Sequence, residues 1–459
     1  MDNFERFLQP GRRGYLLGIG GVSMAPLAEV LAGMGLHISG TDISESAKVL
    51  ELRERGIRVN IGHRAENISA DTEFIIRTAA VHDDNPEIVA ARQLGIPVFE
   101  RTQAWGALMK DYKNALCIAG THGKTTTTSM CTHILMAAEK DPTVMIGGTL
   151  PLLHAGHRIG NGDTIVMESC EYYDSFLSFY PTIAILLDIE EDHMDYFRDL
   201  DHIKQSFRRF AELVPADGTV IANHDDDNTM DAIAGLERKV LTYGFSSEAD
   251  VYAKNIQMRG PVSEFDVYYQ GRFFTHLNIQ VPGRHNISNA LAATAAAIVL
   301  NIRPTAVTYG LSAFRGANRR FEYKGKFNGA DVYDDYAHHP GELEKLLDAV
   351  KPLGYKRILL VFQPHTYSRT QKFFDRFVEQ LKRADVTYLL EIYAARETNT
   401  LHISSADLAK QIPNSFFFPE FEKLEQALRL TAAPGDIILT VGAGNVYEVG
   451  DAITAQETK

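Results

Sequence analysis

The chain has 459 residues, of which 45% are hydrophobic and 23% are charged, and its formal net charge is −13. A chain of this length exceeds what one hydrophobic core supports, so we expect roughly two to four domains. The acidic balance gives no basic surface for nucleic acid or anionic lipid. The longest apolar run, Ala290 to Leu300, is too short to insert across a bilayer.

The N-terminus and the cysteines favour a cytoplasmic protein. Residues 1–11 include acidic side chains and no apolar core, so we expect no secretory signal. The chain has three cysteines, Cys117, Cys131 and Cys170, which form neither a CxxC pair nor a disulfide framework. We expect all three to be small buried hydrophobic residues in a reducing compartment.

The first predicted domain, residues 1–113, begins with a βαβ pattern. A strand at Tyr15–Leu17 leads into Gly18-Ile-Gly-Gly21, a helix follows, and a second strand ends near Asp42. The glycines resemble the dinucleotide-binding sequence G-x-G-x-x-G, with Ser23 in place of the third glycine. Two interpretations stay open: a diphosphate held at the helix N-terminus, or a tight turn without a ligand.

Further along this domain, two segments are expected at the carboxyl edge of the same sheet, where ligands bind. They are the turn that carries His63 and the strand end around Thr78 and Ala79. A histidine without other signals is more often structural than functional. The segment Gly95–Arg101 is predicted as the last strand of the domain, and Trp105 as a packing residue.

The second predicted domain, residues 114–320, contains the strongest motif. An apolar strand, Ala115–Ala119, runs into Gly120-Thr-His-Gly-Lys-Thr-Thr126, and a helix is predicted from Thr128 to Ala138. Glycines, a helix N-terminus, a lysine and a hydroxyl group that can bind Mg²⁺ are what a triphosphate needs, so the pattern predicts ATP binding. Ile118 stands where the standard loop has its first glycine, and the alternative is a Gly/Thr-rich turn without a ligand.

Acidic residues follow two neighbouring strands of this domain. Glu168 ends the strand Asp163–Met167, and the segment Asp188–Asp195, which contains His193, follows the strand Thr182–Leu187. Carboxylate oxygens at strand ends suit Mg²⁺, and among these residues we expect Glu168 and His193, which lie at the strand ends, to be functional. The other acids, including Glu171 and Asp174, are expected on the solvated surface.

The rest of this domain combines a small antiparallel flap with a helix. Alternating apolar residues predict strands within Val251–Val281, with a turn at Gln270-Gly271. An alanine-rich helix is predicted from Ala290 to Leu300, preceded by Asn286 and Asn289. Their amides could pair with an adenine edge, or Asn286 or Ser288 could simply cap the helix.

The third predicted domain, residues 321–459, alternates strands with helices, which indicates a parallel sheet. Polar residues follow each strand, and we expect them to meet at one edge of the sheet. These polar strand ends are Asp334–Pro340, Gln363–Thr370, Tyr393–Glu397 and Gly442–Asn445. The segment Arg315–Glu322, which contains paired arginines, is predicted as a hinge before this domain.

These motifs together resemble the Mur ligases of peptidoglycan synthesis, and the resemblance runs in order from about residue 14 to residue 450. The resembling motifs are Gly18–Gly21, Gly120–Thr126, Glu190–Asp195, Pro282–Asn286, Arg319–Phe321, Asp334–Pro340 and Phe362–His365. The resemblance implies an α/β protein of three domains. The first and last would be Rossmann-like, and the central one would resemble a P-loop ATPase with a small antiparallel flap.

The resemblance is strongest to members that use ATP and Mg²⁺ to join L-alanine to UDP-N-acetylmuramate. It implies that the lactyl carboxylate attacks the γ-phosphate of ATP, and that the amine of L-alanine then displaces phosphate from the acyl phosphate. Such an enzyme would act in the cytoplasm on peptidoglycan precursors. Its oligomeric state stays open.

The resemblance also implies residue roles, with Lys124, Glu168 and His193 in catalysis. ATP would be held by Gly120, Thr121, His122, Gly123, Lys124, Thr125, Thr126, His285, Asn286, Asn289 and Arg320. Metal ligands would be Thr125, Glu168 and His193. The substrates would be held by Gly18, Gly20, Gly21, Asp42, His63, Thr78 and Ala79 for the UDP part, and by His365 and Arg369 for the alanine carboxylate.

Two positions leave the resemblance incomplete. Some relatives have an arginine where Thr366 stands, which leaves Arg369 as the main cation for the amino acid. Sibling ligases use a carbamylated lysine near the second metal, and here Lys204 and Arg208 are equally near to His193 in helical terms. We assign neither.

Three other functions are compatible with parts of the sequence. A related ligase that recycles a tripeptide onto the same nucleotide sugar is the nearest, although Phe362–His365 and Gly18–Gly21 argue against it. An NAD-dependent dehydrogenase would explain the first domain but not the phosphate loop. A nucleotide-switched binding module would hydrolyse ATP slowly and without regard to an amino acid.

Overall fold

A computed structural model describes residues 3–78, 80–194, 196–395 and 397–455. Ala79, predicted to contact substrate, lies outside the described residues, as do Asp195 and Arg396 of the polar strand ends. The chain forms two compact units. The first comprises the residues up to Tyr243 together with Ala295–Ile302, and the second comprises Gly244–Thr294 and the residues from Arg303 onward.

The first unit begins with a five-stranded parallel sheet in the order β3-β2-β1-β4-β5. Its strands are β1 Arg13–Leu17, β2 His37–Asp42, β3 Arg58–Ile61, β4 Phe74–Arg77 and β5 Val98–Glu100. Its helices are α1 Met24–Gly33, α2 Ala47–Glu54, α3 Pro86–Gln93 and α4 Arg101–Met109. Consecutive residues such as Leu16 and Leu17 are both fully buried, because helices cover both faces of a parallel sheet. The predicted strand Gly95–Arg101 is shorter than expected, since Arg101 already begins α4.

The same unit contains the strands around the predicted phosphate loop, in the order β12-β11-β10-β6-β9-β7-β8. They are β6 Asn114–Ala119, β7 Thr143–Leu150, β8 Ala155–Arg158, β9 Thr164–Glu168, β10 Ile183–Leu186, β11 Thr219–Asn223 and β12 Lys239–Gly244. The helices are α5 Lys124–Ala137, α6 Leu200–Glu212 and α7 Asp227–Ile233. The antiparallel pair β7–β8 was not expected from the sequence, and α5 begins at Lys124 instead of Thr128.

The second unit begins with the predicted flap, three antiparallel strands β13 Val251–Arg259, β14 Val262–Tyr269 and β15 Arg272–Ile279. The turn between the last two strands falls at Gln270 and Gly271, as predicted. Two helices follow, α8 Arg284–Val299, of which the residues up to Thr294 belong to this unit, and α9 Pro304–Ala313. Because α8 begins at Arg284, six residues before the predicted start, Ser288 lies inside the helix and does not cap it.

The remainder of the second unit is a six-stranded sheet in the order β16-β17-β21-β18-β19-β20. Its strands are β16 Glu322–Phe327, β17 Ala330–Asp335, β18 Ile358–Phe362, β19 Val386–Leu390, β20 Ser415–Phe418 and β21 Ile437–Val441. The helices are α10 Pro340–Val350, α11 Tyr367–Lys372, α12 Phe374–Leu381, α13 Ser405–Ala409, α14 Phe421–Thr431 and α15 Tyr447–Ala455. All neighbouring pairs are parallel except β16–β17, so the predicted parallel sheet is confirmed with one antiparallel edge strand.

The predicted α/β architecture with three sheets is therefore confirmed, whereas the domain boundaries at residues 113/114 and 320/321 stay predictions. Of the helices in the described part of the chain, none combines the length and apolarity needed to cross a membrane. One expectation about the cysteines is wrong. Cys117 and Cys131 are buried, but Cys170 is exposed because it follows β9 in the loop beyond the strand.

Candidate nucleotide and metal site

The loop between β6 and α5 has the geometry that an anion requires. Gly120 and Gly123 have φ angles of +155° and +79°, which other residues rarely adopt. A Cβ atom on Gly120 would also lie 2.7 Å from the Cβ of Leu187. In the first turn of α5, the amide of Thr127 donates to Gly123 O at 2.9 Å. The amides before it point out of the helix end, where a phosphate can accept their hydrogen bonds.

Lys124 is held at the mouth of this loop by the loop itself and by a carboxylate. Its Nζ donates to the carbonyl oxygens of Gly120 and Thr121 and lies 3.0 Å from Glu171 Oε2. Burial alone would lower the pKa of Lys124, but the Glu171 carboxylate outweighs it, and the pKa is raised. Lys124 therefore stays cationic at the place where a triphosphate would carry its charge.

Glu171 corrects the expectation that it lies on the solvated surface. It is 2% exposed, since it turns back toward Lys124 from the loop after β9. Sequence reasoning missed it because an acid three residues beyond a strand end has no signal that distinguishes it from a surface acid. Asp174 is also partly buried, and it accepts hydrogen bonds from Tyr196 and Arg209.

Thr125 and Glu168 form a pair of oxygen ligands next to the loop. Thr125 Oγ1 donates to Glu168 Oε1 at 3.0 Å, and the amide of Gly147 donates to Glu168 Oε2 at 2.7 Å. A Cβ on Gly147 would lie 2.6 Å from Glu168 Oε1, so the glycine allows the carboxylate its position. A hydroxyl group and a carboxylate beside a phosphate loop fit Mg²⁺, which prefers oxygen ligands.

His193 lies beside Glu171. Its Nε2 is 3.8 Å from Glu171 Oε1, and its ring stacks on Tyr172 with centroids 4.4 Å apart. The backbone of His193 has a φ of +53°, a sparsely populated conformation that commonly marks functional segments. The structure therefore places His193 and Lys124 on the same carboxylate.

Asp188, which follows β10, shapes the loop from the other side. Its Oδ1 accepts the amide of His122 at 2.7 Å, and its carbonyl oxygen accepts the amide of Thr121 at 2.9 Å. The hydroxyl group of Thr121 in turn accepts the amide of Glu190 at 2.9 Å. The sequence placed Asp188 at a strand end without assigning it this role.

In the first sheet, the structure brings together the glycine-rich loop, Asp42 and Thr78. Gly18 has a φ of +73°, and a Cβ on it would lie 2.8 Å from Thr78 Cγ2. The amide of Gly20 donates to Asp42 Oδ2 at 2.9 Å. The amide of Gly21 donates to Gly18 O at 3.0 Å, which closes the turn.

His63 is oriented by a buried carboxylate. Its Nδ1 lies 2.6 Å from Oε2 of Glu87, which is fully buried. The other oxygen of Glu87 accepts from Thr41 at 2.6 Å and from Asn67 at 2.7 Å. This network fixes the imidazole ring, as expected for a histidine that presents its other nitrogen to a ligand.

In the second unit, His285, Asn286 and Asn289 lie in the first turns of α8. Asn286 Nδ2 donates to Pro282 O at 2.7 Å, and Asn289 Nδ2 donates to Asn286 Oδ1 at 3.2 Å. The two asparagines, each 8% exposed, therefore brace one another at the start of the helix.

The paired arginines of the predicted hinge have different partners. Arg319 Nε donates to Oδ2 of the fully buried Asp334 at 2.8 Å, and its NH1 donates to Gly444 O at 3.0 Å. Arg320 lies over the ring of Tyr336, with its NH1 4.0 Å from Glu342 Oε1. Arg319 is thus structural within the sheet edge, whereas Arg320 interacts with Glu342 only at the 4.0 Å limit of an ion pair.

The polar strand ends of the third sheet meet at one edge. Arg369 NH1 lies 3.2 Å from His365 Nδ1, and the His365 ring stacks on Tyr393 at 5.7 Å. Gln363 Nε2 donates to Asn445 Oδ1 at 3.1 Å. The residues after β18, β19 and β21 are therefore neighbours, as their positions in a parallel sheet require.

Comparison with known proteins covers the chain with three family models in succession. Residues 15–113 match "Mur ligase family, catalytic domain", residues 118–297 match "Mur ligase middle domain", and residues 319–444 match "Mur ligase, glutamate ligase domain". A UDP-N-acetylmuramate–L-alanine ligase of Caldanaerobacter subterraneus is 44% identical, over 98% of this chain and 99% of that protein. One from Agathobacter rectalis is also 44% identical, over 95% of this chain and 96% of that protein.

Solved structures give the same result. The chain superimposes on a UDP-N-acetylmuramate–alanine ligase from Thermotoga maritima with a TM-score of 0.81 and 28% identity, over 97% of this chain and 100% of that one. A murein peptide ligase from Psychrobacter arcticus gives a TM-score of 0.71 at 23% identity, over 97% and 98% of the two chains, and shows the shared fold. With family models matching in order and relatives 44% identical over nearly the full length, the chain belongs to the Mur ligase family.

Proposed function

We propose that this chain is an ATP-dependent ligase that joins L-alanine to the lactyl carboxylate of UDP-N-acetylmuramate. The observation that carries the proposal is the helix start at Gly123, where the amides of the first helical turn, the cationic Lys124 and the Thr125–Glu168 pair surround one position for a triphosphate. Curated relatives 40–44% identical over nearly the whole chain have this activity by name.

The main physical problem of the reaction is charge. The lactyl carboxylate must approach the γ-phosphorus of ATP, and both are anions that repel one another. Lys124 and the loop amides offset that repulsion and stabilise the charge that develops on the transferring group. The carboxylate oxygen forms a bond to phosphorus as ADP leaves, and the amine of L-alanine then displaces phosphate from the acyl phosphate, giving the amide and losing a proton.

Thr125 and Glu168 would hold a Mg²⁺ ion, and His193 would hold a second. Mg²⁺ supplies Lewis-acid neutralisation of phosphate charge when bound. The chain's own contribution is to fix these ligands: Gly147 anchors the Glu168 carboxylate, and Tyr172 stacks on the His193 ring. A structure of a ligase with this fold from Thermotoga maritima, 13% identical, was solved in complex with ADP.

The remaining ligand contacts are proposed within each unit. In the first unit, the UDP part would be bound by Gly18, Gly20, Gly21, Asp42, His63 and Thr78, with His63 oriented by Glu87. In the second unit, His285, Asn286, Asn289 and Arg320 would contact the nucleotide, and His365 with Arg369 would bind the carboxylate of L-alanine. We also retain the cytoplasmic location as a prediction that cell fractionation tests.

The alternative functions are less well supported. A ligase that adds a tripeptide is one alternative, but curated relatives 44% identical to this chain are named UDP-N-acetylmuramate–L-alanine ligases. A dehydrogenase or a binding module leaves the family membership across all three sheets unexplained.

The test is phosphate release from ATP in the presence of Mg²⁺ and UDP-N-acetylmuramate. L-alanine, glycine, L-serine and a muropeptide tripeptide are compared as acceptors. We expect release to require both the nucleotide sugar and an amino acid, with L-alanine the best. Release with the tripeptide but not with L-alanine would reassign the chain to the recycling activity, and release without any acceptor would contradict ligase chemistry.

A further inference from the structure

Arg101 is a cation next to the glycine-rich loop of the first sheet, and within the described part of the chain it forms no ion pair with a carboxylate. It is the first residue of α4 and is partly buried. Its NH1 donates to Ser23 Oγ at 2.5 Å, and Ser23 directly precedes α1, two residues after Gly21.

The charge of Arg101 is poorly compensated. Burial lowers the pKa of its guanidinium, and the opposing influence of Cys170 and Glu100 is smaller. Glu100 itself accepts from Arg77 at 2.7 Å. Among the described residues, no carboxylate oxygen lies within 4.0 Å of Arg101, and the positive end of the α4 dipole adds to the cost of a cation there. A guanidinium with five donors and one neutral acceptor lacks an anion.

The glycine-rich loop lacks a positive charge of its own, and its amides are already hydrogen-bonded. The amides of Gly18 and Ile19 both donate to Thr41 O, the amide of Gly20 to Asp42, and that of Gly21 to Gly18 O. The loop therefore offers a shape for a diphosphate, but its amides already have acceptors. A cation from outside the loop is needed to offset the two negative charges.

Helix α4 holds Arg101 rigidly at this position. Trp105 Nε1 donates to Ser23 O at 3.3 Å, which ties the helix to the start of α1. On its other side, a Cβ on Gly106 would lie 1.9 Å from Ser178 O, so the helix backbone packs directly on the segment after Glu171. Arg101 thus lies between the loop of the first sheet and the segment that contains Cys170.

We propose that Arg101 binds the diphosphate of the UDP-linked substrate from the side of α4, opposite the glycine-rich loop. The proposal rests on the proposed function and extends it by one binding residue. The planar guanidinium pairs with two phosphate oxygens, which a lysine or a loop amide does not do. Ser23 keeps the guanidinium oriented toward the α1 N-terminus before the ligand binds.

The test compares Arg101→Gln and Arg101→Lys with wild type by calorimetric binding of two probes. UDP-N-acetylmuramate carries both a diphosphate and a lactyl carboxylate, whereas UDP-N-acetylglucosamine carries the diphosphate alone. We expect Arg101→Gln to weaken both probes equally, by about 10- to 100-fold, and Arg101→Lys to weaken both by less. Arg92→Gln, which removes an exposed arginine paired with Asp83, is the matched control and should bind as wild type.

Kinetics separate a binding role from a structural one. In Arg101→Gln, the KM for UDP-N-acetylmuramate should rise by the same factor, while the KM for ATP stays within about twofold of the wild-type value. The affinity of this variant for UDP-N-acetylmuramate should also depend less steeply on salt concentration than that of wild type. A loss confined to UDP-N-acetylmuramate would place Arg101 on the lactyl carboxylate and overturn the assignment. Unchanged affinity for both probes, or an equal loss of ATP affinity, would also overturn it. Wild type that binds neither probe would instead reject the proposed function.

Discussion

Glu171→Gln is the substitution that most directly tests how the phosphate loop holds its lysine. Glutamine keeps the shape of the side chain and one oxygen acceptor but removes the negative charge opposite Lys124. The pair is nearly excluded from solvent, with side-chain exposures of 15% for Lys124 and 3% for Glu171, and the atoms are 3.0 Å apart. The substitution therefore leaves a buried ammonium without its counter-ion.

The expected magnitude follows from that geometry. At 3.0 Å and an effective dielectric constant of about 20, two unit charges attract by about 5 kcal/mol. Removing one partner of a buried pair costs about 3–5 kcal/mol. Since the carbonyl oxygens of Gly120 and Thr121 still accept from Lys124, we expect the lower end, about 3 kcal/mol, which lowers the midpoint of thermal unfolding by about 3–6 °C in a chain of this size.

The assay is thermal unfolding followed by circular dichroism, with and without Mg²⁺ and ATP. Asp231→Asn is the matched control, because Lys204 and Asp231 form a pair of almost the same length, 3.1 Å, but the aspartate is 70% exposed. A surface pair of this kind contributes about 0–1 kcal/mol. ATP should stabilise Glu171→Gln more than wild type, since the triphosphate replaces the missing anion. Equal, small shifts in the two variants would refute the account of Lys124.

Lys124→Ala should lower turnover by at least about 100-fold, because the lysine stabilises charge on the transferring phosphoryl group; near-normal phosphate release would exclude that role. Gly147→Ala should raise the Mg²⁺ concentration for half-maximal activity by about tenfold, since its Cβ would displace Glu168 Oε1. Gly148→Ala is the control and should not raise it, because its Cβ would meet only Thr125 Cγ2, at 3.5 Å. Equal effects of the two substitutions would contradict the Glu168 geometry. Burial raises the pKa of Asp335 to about 6, so the folded state binds more protons than the unfolded state between about pH 4 and 6. The free energy of unfolding of wild type, measured with urea, should therefore fall by about 3 kcal/mol relative to that of Asp335→Asn as the pH rises through this range. A difference between the two proteins that does not change with pH would disprove the raised pKa.

The sequence predicted best what depends on local chain geometry. The strand, glycine-rich turn and helix around Lys124 were readable because each residue type has one physical use in that order. The parallel third sheet was readable from its alternating elements and from the polar strand ends. The antiparallel pair β7–β8 was not, because the glycines at 147 and 148 interrupt its alternation, and Gly147 serves the contact with Glu168.

The sequence could not predict which acids turn inward. Glu168 ends its strand and Glu171 follows three residues later, yet Glu171 is buried against Lys124, and the chain directly after it adopts left-handed conformations at Tyr173 and Asp174. Those conformations are fixed by hydrogen bonds from Tyr196 and Arg209, which are more than twenty residues away. Long-range contacts of this kind leave no local signal in the sequence.

The two glycine-rich loops of the first unit share one structural feature. In each, an aspartate at the end of the neighbouring strand accepts a loop amide: Asp42 accepts that of Gly20, and Asp188 accepts that of His122. These carboxylates hold the loops in shape before any ligand binds, so little ordering entropy is lost on binding. They also add negative charge beside an anion site, and each site therefore needs a cationic side chain to offset that charge. Lys124 supplies it at the second loop, and the same electrostatic balance is the reason why Arg101 is needed at the first.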